Sequence, residues 1–134
     1  MRLEVPGEDR DRWRDSRLPE ELVARLIEAA RGVQPPPDQR EKLATFSVYA
    51  VLLEDAKGHP GYSLYVGRTG LSPRERYLNH KRGHKSSRSF RKYGLGLLPS
   101  LYEHLNPLES AASVDTEVRL AEALRLTAMH VIQN

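Results

Sequence analysis

The apolar positions of this chain change period several times, and each change marks an element. Leu22, Val23, Leu26, Ile27 and Ala30 recur every three or four residues, the period of one helix face. Pro19 stands just ahead of that stripe, where a first helical turn accepts proline. Gly32 and the run Pro35-Pro36-Pro37 follow it as a stop. Residues 45–54, TFSVYAVLLE, are β-branched, aromatic and aliphatic, and predict a strand. The turn-forming segment DAKGHPG at 55–61 leads to a second strand, YSLYVGR at 62–68, and so short a link predicts an antiparallel hairpin. Ser72, Pro73 and Glu75 then form a capping box that opens a helix running to about Lys81, with Gly83 beyond it.

Residues 84–98 are basic and rich in Gly and Ser, then apolar, and are compatible with a helix over part of 85–93. The segment PSLYEHL at 99–105 predicts a third strand, closed by Asn106-Pro107. Val118, Ala121, Leu124, Ala128 and Val131 form the stripe of a last helix over 115–131, capped by Asp115 or Thr116. The expected fold is α/β in the α+β sense: a small, mainly antiparallel three-stranded sheet flanked by helices, over residues 45–134. Residues 1–44 form an N-terminal helical extension and proline-rich linker. Within them the first 17 residues, with a single Trp13, read as a loose arm or a short polar helix.

Composition narrows the class. With 134 residues there is room for one ordinary domain, and 39% hydrophobic residues suffice for a core. The absence of cysteine excludes disulfides and thiolate-bound zinc, and agrees with a reducing compartment. No apolar run approaches the roughly 20 residues that span a bilayer. The charged N-terminus does not resemble a signal peptide, so a cytoplasmic protein without a membrane anchor is expected. The net charge of +3 is modest, but residues 68–93 hold nine Lys or Arg against one Glu, while the segments on either side are slightly acidic. Such a concentration is the usual footprint of a phosphate-backbone partner. Lys81, Arg82, Lys85, Arg88, Arg91 and Lys92 alternate there with Phe90 and Tyr93, a mixture suited to phosphate tracking and base stacking.

Several chemistry-bearing residues fall at element edges in a definite order. Ser47-Val48-Tyr49 lies on the first strand, and Tyr65-Val66-Gly67 near the end of the second. Arg76 and His80 lie four apart on the next helix; Glu122 is on the last helix, and Asn134 is twelve residues further on. This order resembles the GIY-YIG nuclease superfamily, whose pattern is GIY, YIG, Arg-x-x-x-His, a helix Glu and an Asn. The likeness covers about two-thirds of the chain. Ser47 replaces the first glycine, valines replace both isoleucines, and the interval from Tyr65 to the helix arginine is one residue longer than usual. Arg74 and Arg76 are therefore both candidates, and Arg76 has the family's spacing to His80.

The resemblance implies a divalent-metal-dependent endonuclease that hydrolyses nucleic-acid phosphodiester bonds, with DNA the foremost substrate. It implies that Glu122 holds one Mg²⁺ or Mn²⁺, with Glu117 as the alternative carboxylate. Hard cations of this kind take oxygen ligands and stabilise negative charge on phosphoryl oxygens. Tyr49 would act as general base or orient the attacking water; a phenol titrates near pH 10, so a base role needs a nearby cation. Tyr65 would bond the phosphate or the water beside it. Arg76 would clamp a phosphate oxygen, which a planar, permanently charged guanidinium suits. His80, one turn on, would relay a proton or bind phosphate, and Arg68 and Arg74 would contact phosphates. Gly67 and Asn134 would support the site. Two other classes remain open on the residues alone: a non-catalytic nucleic-acid-binding module, and a protein that docks a partner or a second copy through the 19–31 helix.

Overall fold

A computed structural model describes residues 11, 13, 16–36, 44–55, 60–81 and 94–133. Among these, three helices surround a four-stranded mixed sheet. The helices are α1 (Glu20–Arg31), α2 (Pro73–Lys81) and α3 (Ser110–Arg125). The strands are β1 (Ser47–Glu54), β2 (Tyr62–Thr69), β3 (Gly94–Leu97) and β4 (Val131–Gln133). The sheet order is β3-β1-β2-β4, with β1 antiparallel to both neighbours and β4 parallel to β2.

The central position of β1 follows from its composition. Val48 through Leu53 are all buried, so both faces of the strand are covered and the sequence reads as one apolar run instead of an alternation. The hairpin to β2 closes as expected: the Asp55 amide donates to the Gly61 carbonyl at 2.7 Å, and the Gly61 amide to Asp55 Oδ1 at 2.7 Å. Asn106 extends the edge of β1. Its Oδ1 accepts from the Val48 amide and its Nδ2 donates to the Val48 carbonyl, each at 2.8 Å, as a neighbouring strand would.

The third strand is not at 99–105. Pro99–Leu101 and Glu103–Leu105 are two 3₁₀ turns, and β3 lies just before them. The buried leucines there, Leu98 and Leu101, then Leu105 and Leu108, are spaced by three, which is the 3₁₀ period and not the strand period. The last helix also differs. It starts at Ser110 and stops at Arg125 instead of running from 115 to 131, and residues 131–133 form a fourth strand whose first residue was expected to be helical. Ala128 takes a left-handed φ of 70°, which ends the helix without glycine or proline. Asp115 does not cap; it pairs with Arg119 one turn on at 2.9 Å.

The N-terminal helix belongs to the core. Leu26 and Ala30 are fully buried and Val33 nearly so, within the same cluster as the sheet residues. The acidic pair Glu20 and Glu21 sits in the first turn of α1 and Arg31 in the last, matching the helix dipole. α1 packs against α3 and the first 3₁₀ turn. His104 Nε2 lies 3.0 Å from both the Ala30 and Val33 carbonyls; two acceptors require the proton on Nε2, so one N–H serves both. Arg119 Nη2 donates to the Gln34 carbonyl at 2.9 Å. Asp11 accepts from the Ser100 amide at 2.8 Å and from Trp13 Nε1 at 3.1 Å, so part of the arm is docked as well.

Candidate active site

The hairpin register brings the two motif tyrosines together. Tyr49 lies opposite Gly67 and Val51 opposite Tyr65, so both rings project from one face, with one residue pair between them. Their centroids are 6.2 Å apart and their planes 26° from parallel. Gly67 is required by this arrangement. A Cβ at position 67 would lie 2.8 Å from Tyr49 Oη and 2.9 Å from its Cζ, so the ring occupies space that any other residue would fill.

Helix α2 delivers the arginine. Ser72 Oγ accepts from the Glu75 amide at 3.1 Å and Glu75 Oε1 from the Ser72 amide at 3.4 Å, the expected capping box. From that start Arg76 bonds the Tyr49 hydroxyl through its side chain. Burial pushes the Tyr49 phenol well above its ordinary value; the nearby Tyr65 adds to the shift, Arg76 opposes it by charge and hydrogen bond, and Glu117 raises it slightly. Tyr49 therefore carries its proton near neutral pH. Tyr49 and Tyr65 are only 1% and 2% exposed.

The carboxylate whose charge acts on Tyr49 is Glu117, from the α3 side of the sheet. Five residues along a helix is about 140° around its axis. Glu117 is buried on the inner face of α3 with Ser113, Thr116, Leu120, Ala121 and Leu124, whereas Glu122 faces solvent and is not brought to the tyrosines. Gln133 Nε2 donates to Glu117 Oε1 at 3.1 Å. Burial raises the Glu117 carboxyl above its usual range, against the lowering effects of Gln133 and Arg68. Arg68 and Gln133 pair with Val48 and Val66, so they project from the sheet face opposite the tyrosines, toward α3. Arg68 donates to Ser113 Oγ at 3.3 Å and stands 5.4 Å over the Phe46 ring. It is held to the fold more firmly than an open phosphate contact would be.

Among the described residues no three His, Asp or Glu gather around one point. A hard cation would take a carboxylate oxygen, and the buried carboxylate on α3 is Glu117, whose Oε1 also accepts from Gln133 Nε2. Arg74 is exposed on the first turn of α2. Arg82, Lys85, Arg88, Arg91, Lys92 and Asn134, with the side chains of His80 and Lys81, lie outside the described residues.

Sequence reasoning ranked Glu117 second and missed Ser113, Gln133 and Asn106 as site supports. A signal for Glu117 was present. Starting α3 at Ser110 places 113, 116, 117, 120, 121 and 124 on one stripe, and an acid inside an otherwise buried stripe marks a constrained carboxylate. Thr116, beside it, has a buried Oγ1 with no partner among the described residues. Comparison with known proteins returned no matching family model, no curated relative and no matching solved structure.

Proposed function

We propose that this chain is a divalent-metal-dependent endonuclease that hydrolyses phosphodiester bonds in nucleic acid, with DNA as the first substrate to test. The observation that carries the reading is the meeting of Tyr49, Tyr65 and Arg76 over Gly67, with the charge of Glu117 acting on Tyr49 from the α3 side. In the hydrolysis, a water oxygen bonds to phosphorus as the water gives up a proton to solvent, one ester P–O bond breaks, and the leaving oxygen takes up a proton. Glu117, with water completing the shell, would hold one Mg²⁺ or Mn²⁺ on the α3 side of the sheet, and the ion when bound would add positive charge to the site. Arg76 bonds the Tyr49 oxygen and so leaves the phenolic O–H to donate to a phosphate oxygen or to fix the attacking water. Because burial holds that proton on, orientation of water is the role the chemistry favours over proton abstraction. Arg68 offsets the charge of Glu117 from behind. A cytoplasmic site of action belongs to the same reading; no helix among the described residues is long and apolar enough to cross a membrane.

A second reading draws on the near-complete burial of both tyrosines. A hydroxyl sealed from solvent cannot bind water, and the domain would then hold nucleic acid through its basic segment without cutting it. One assay separates the two. Purified protein is incubated with supercoiled plasmid and Mg²⁺ or Mn²⁺, and nicked circles are counted. Loss of a metal ligand removes several kcal/mol of charge stabilisation, so Glu117→Ala should slow nicking by about a hundredfold or more. Tyr49→Phe should also lose activity, while Glu122→Ala should nick as the parent does. Salt-sensitive binding with no nicking under either metal would establish the second reading. Nicking that survives both Glu117→Ala and Tyr49→Phe would sink the first.

A further inference from the structure

Helix α1 carries two apolar stripes. Leu22, Leu26, Ala30 and Val33 belong to the core. At about 100° per residue, Val23, Ile27 and Ala24 lie about 60°, 100° and 160° round the helix from Leu26, all to the same side. With Trp13, Leu18 and Glu20 these three line a cleft of about 440 Å³ between the arm and the helix. Glu20, Ala24 and Arg31 are exposed, and Ile27 is half-buried.

This outer flank has an order of its own. Glu20, Ala24, Ile27 and Arg31 are spaced by four, three and four residues, the spacing of a coiled-coil seam. The seam is also self-complementary. When two copies lie antiparallel about a twofold axis midway between positions 24 and 27, positions equally far from the axis face each other. Glu20 then meets Arg31 of the second copy, Ala24 meets Ile27, and each contact occurs twice. Ala24 is small enough to let the helices approach. Ile27 supplies apolar surface that Val23, Leu18 and Trp13 extend along the cleft. A parallel pair would set Glu20 on Glu20 and Arg31 on Arg31 and would align the two helix dipoles, so charge selects the antiparallel arrangement. We infer that this flank of α1 is an interface for a second copy of the chain. Burial of the apolar residues supplies the affinity. The Glu20–Arg31 pairs fix direction and register, since exposed ion pairs contribute little by themselves. α1 packs on α3, so the contact lies across the sheet from Tyr49 and Tyr65, and the inference does not depend on the nuclease reading.

A helix of 12 residues makes a small contact, below about 1,200 Å² in total, and the dimer is weak and reversible. Such a dimer dissociates at roughly 10–100 µM, so the test is sedimentation velocity of the full-length chain from about 5 to 500 µM, without metal or nucleic acid. The weight-average mass should rise from 15.2 kDa toward twice that value. Ala24→Glu puts a charge in the middle of the seam at an exposed position and should hold the chain monomeric throughout. Glu20→Arg or Arg31→Glu alone turns both ion pairs into repulsions and should weaken pairing by about tenfold at low salt. The double variant restores the pairs in reverse order and should recover the parent's association. Melts of each variant, at a concentration where the parent is monomeric, separate lost pairing from lost folding. A parent that sediments as a monomer up to the highest concentration would overturn the inference and leave the cleft to a different protein. Association that survives Ala24→Glu, or that the double variant fails to recover, would overturn it too, because the copies would then meet elsewhere.

Discussion

Replacing Gly67 by alanine places a methyl carbon 2.8 Å from Tyr49 Oη, 2.9 Å from Cζ and 3.2 Å from Cε1. Carbon–carbon contact is comfortable at about 3.5–4.0 Å, so the ring must retreat by more than half an ångström. It has little room to do so. Tyr49 is 1% exposed, its ring is stacked on Tyr65, and its hydroxyl is bonded by Arg76. Overpacking in a filled core costs about 1–3 kcal/mol, and a weakened hydrogen bond to a charged group adds about 1 kcal/mol or more. Gly67→Ala should therefore lower unfolding free energy by about 2–3 kcal/mol. For a domain of this size that is a fall in Tm of about 5–12 °C. Guanidinium and thermal melts followed by circular dichroism, with the m-value checked for constancy, would measure it. Repeating the substitution in a Tyr49→Phe background removes the 2.8 Å contact and the Arg76 bond, so Gly67→Ala should cost less there. A neutral Gly67→Ala, or an equal cost in both backgrounds, would show that the Tyr49 ring does not lie across the glycine.

Two further outcomes follow from the packing and the phenols. Leu26→Ala should cost about 2–5 kcal/mol in denaturant melts, because Leu26 on α1 is fully buried in the shared core; an effect under 1 kcal/mol would mean that α1 is an appendage. Burial raises both Tyr49 and Tyr102, so the folded chain holds these protons more tightly than the unfolded one. Their contribution is complete below the ordinary phenol value of about 10 and is lost as pH rises above it. Melts at increasing alkalinity should show that fall, and the Tyr49→Phe, Tyr102→Phe double variant should flatten it.

The periodicity of the chain alone determined α1, the β1–β2 hairpin and α2, because each has its signal inside a dozen residues: a helical stripe, an apolar run with turn chemistry, a capping box. The same local signals placed Tyr49, Tyr65 and Arg76 on neighbouring elements. Three things depended on tertiary structure. Segment 99–105 has strand-like residues, yet packing leucines in threes onto the core makes it two 3₁₀ turns. The end of α3 and the start of β4 rest on a left-handed Ala128 and on pairing with β2 more than sixty residues earlier; neither leaves a local mark. The choice between Glu117 and Glu122 is a choice of helix face, and that face is set by where α3 begins and what it packs against. Both carboxylates lie on the same predicted helix, but only the sheet beneath α3 decides which one is turned inward toward Arg68 and Gln133.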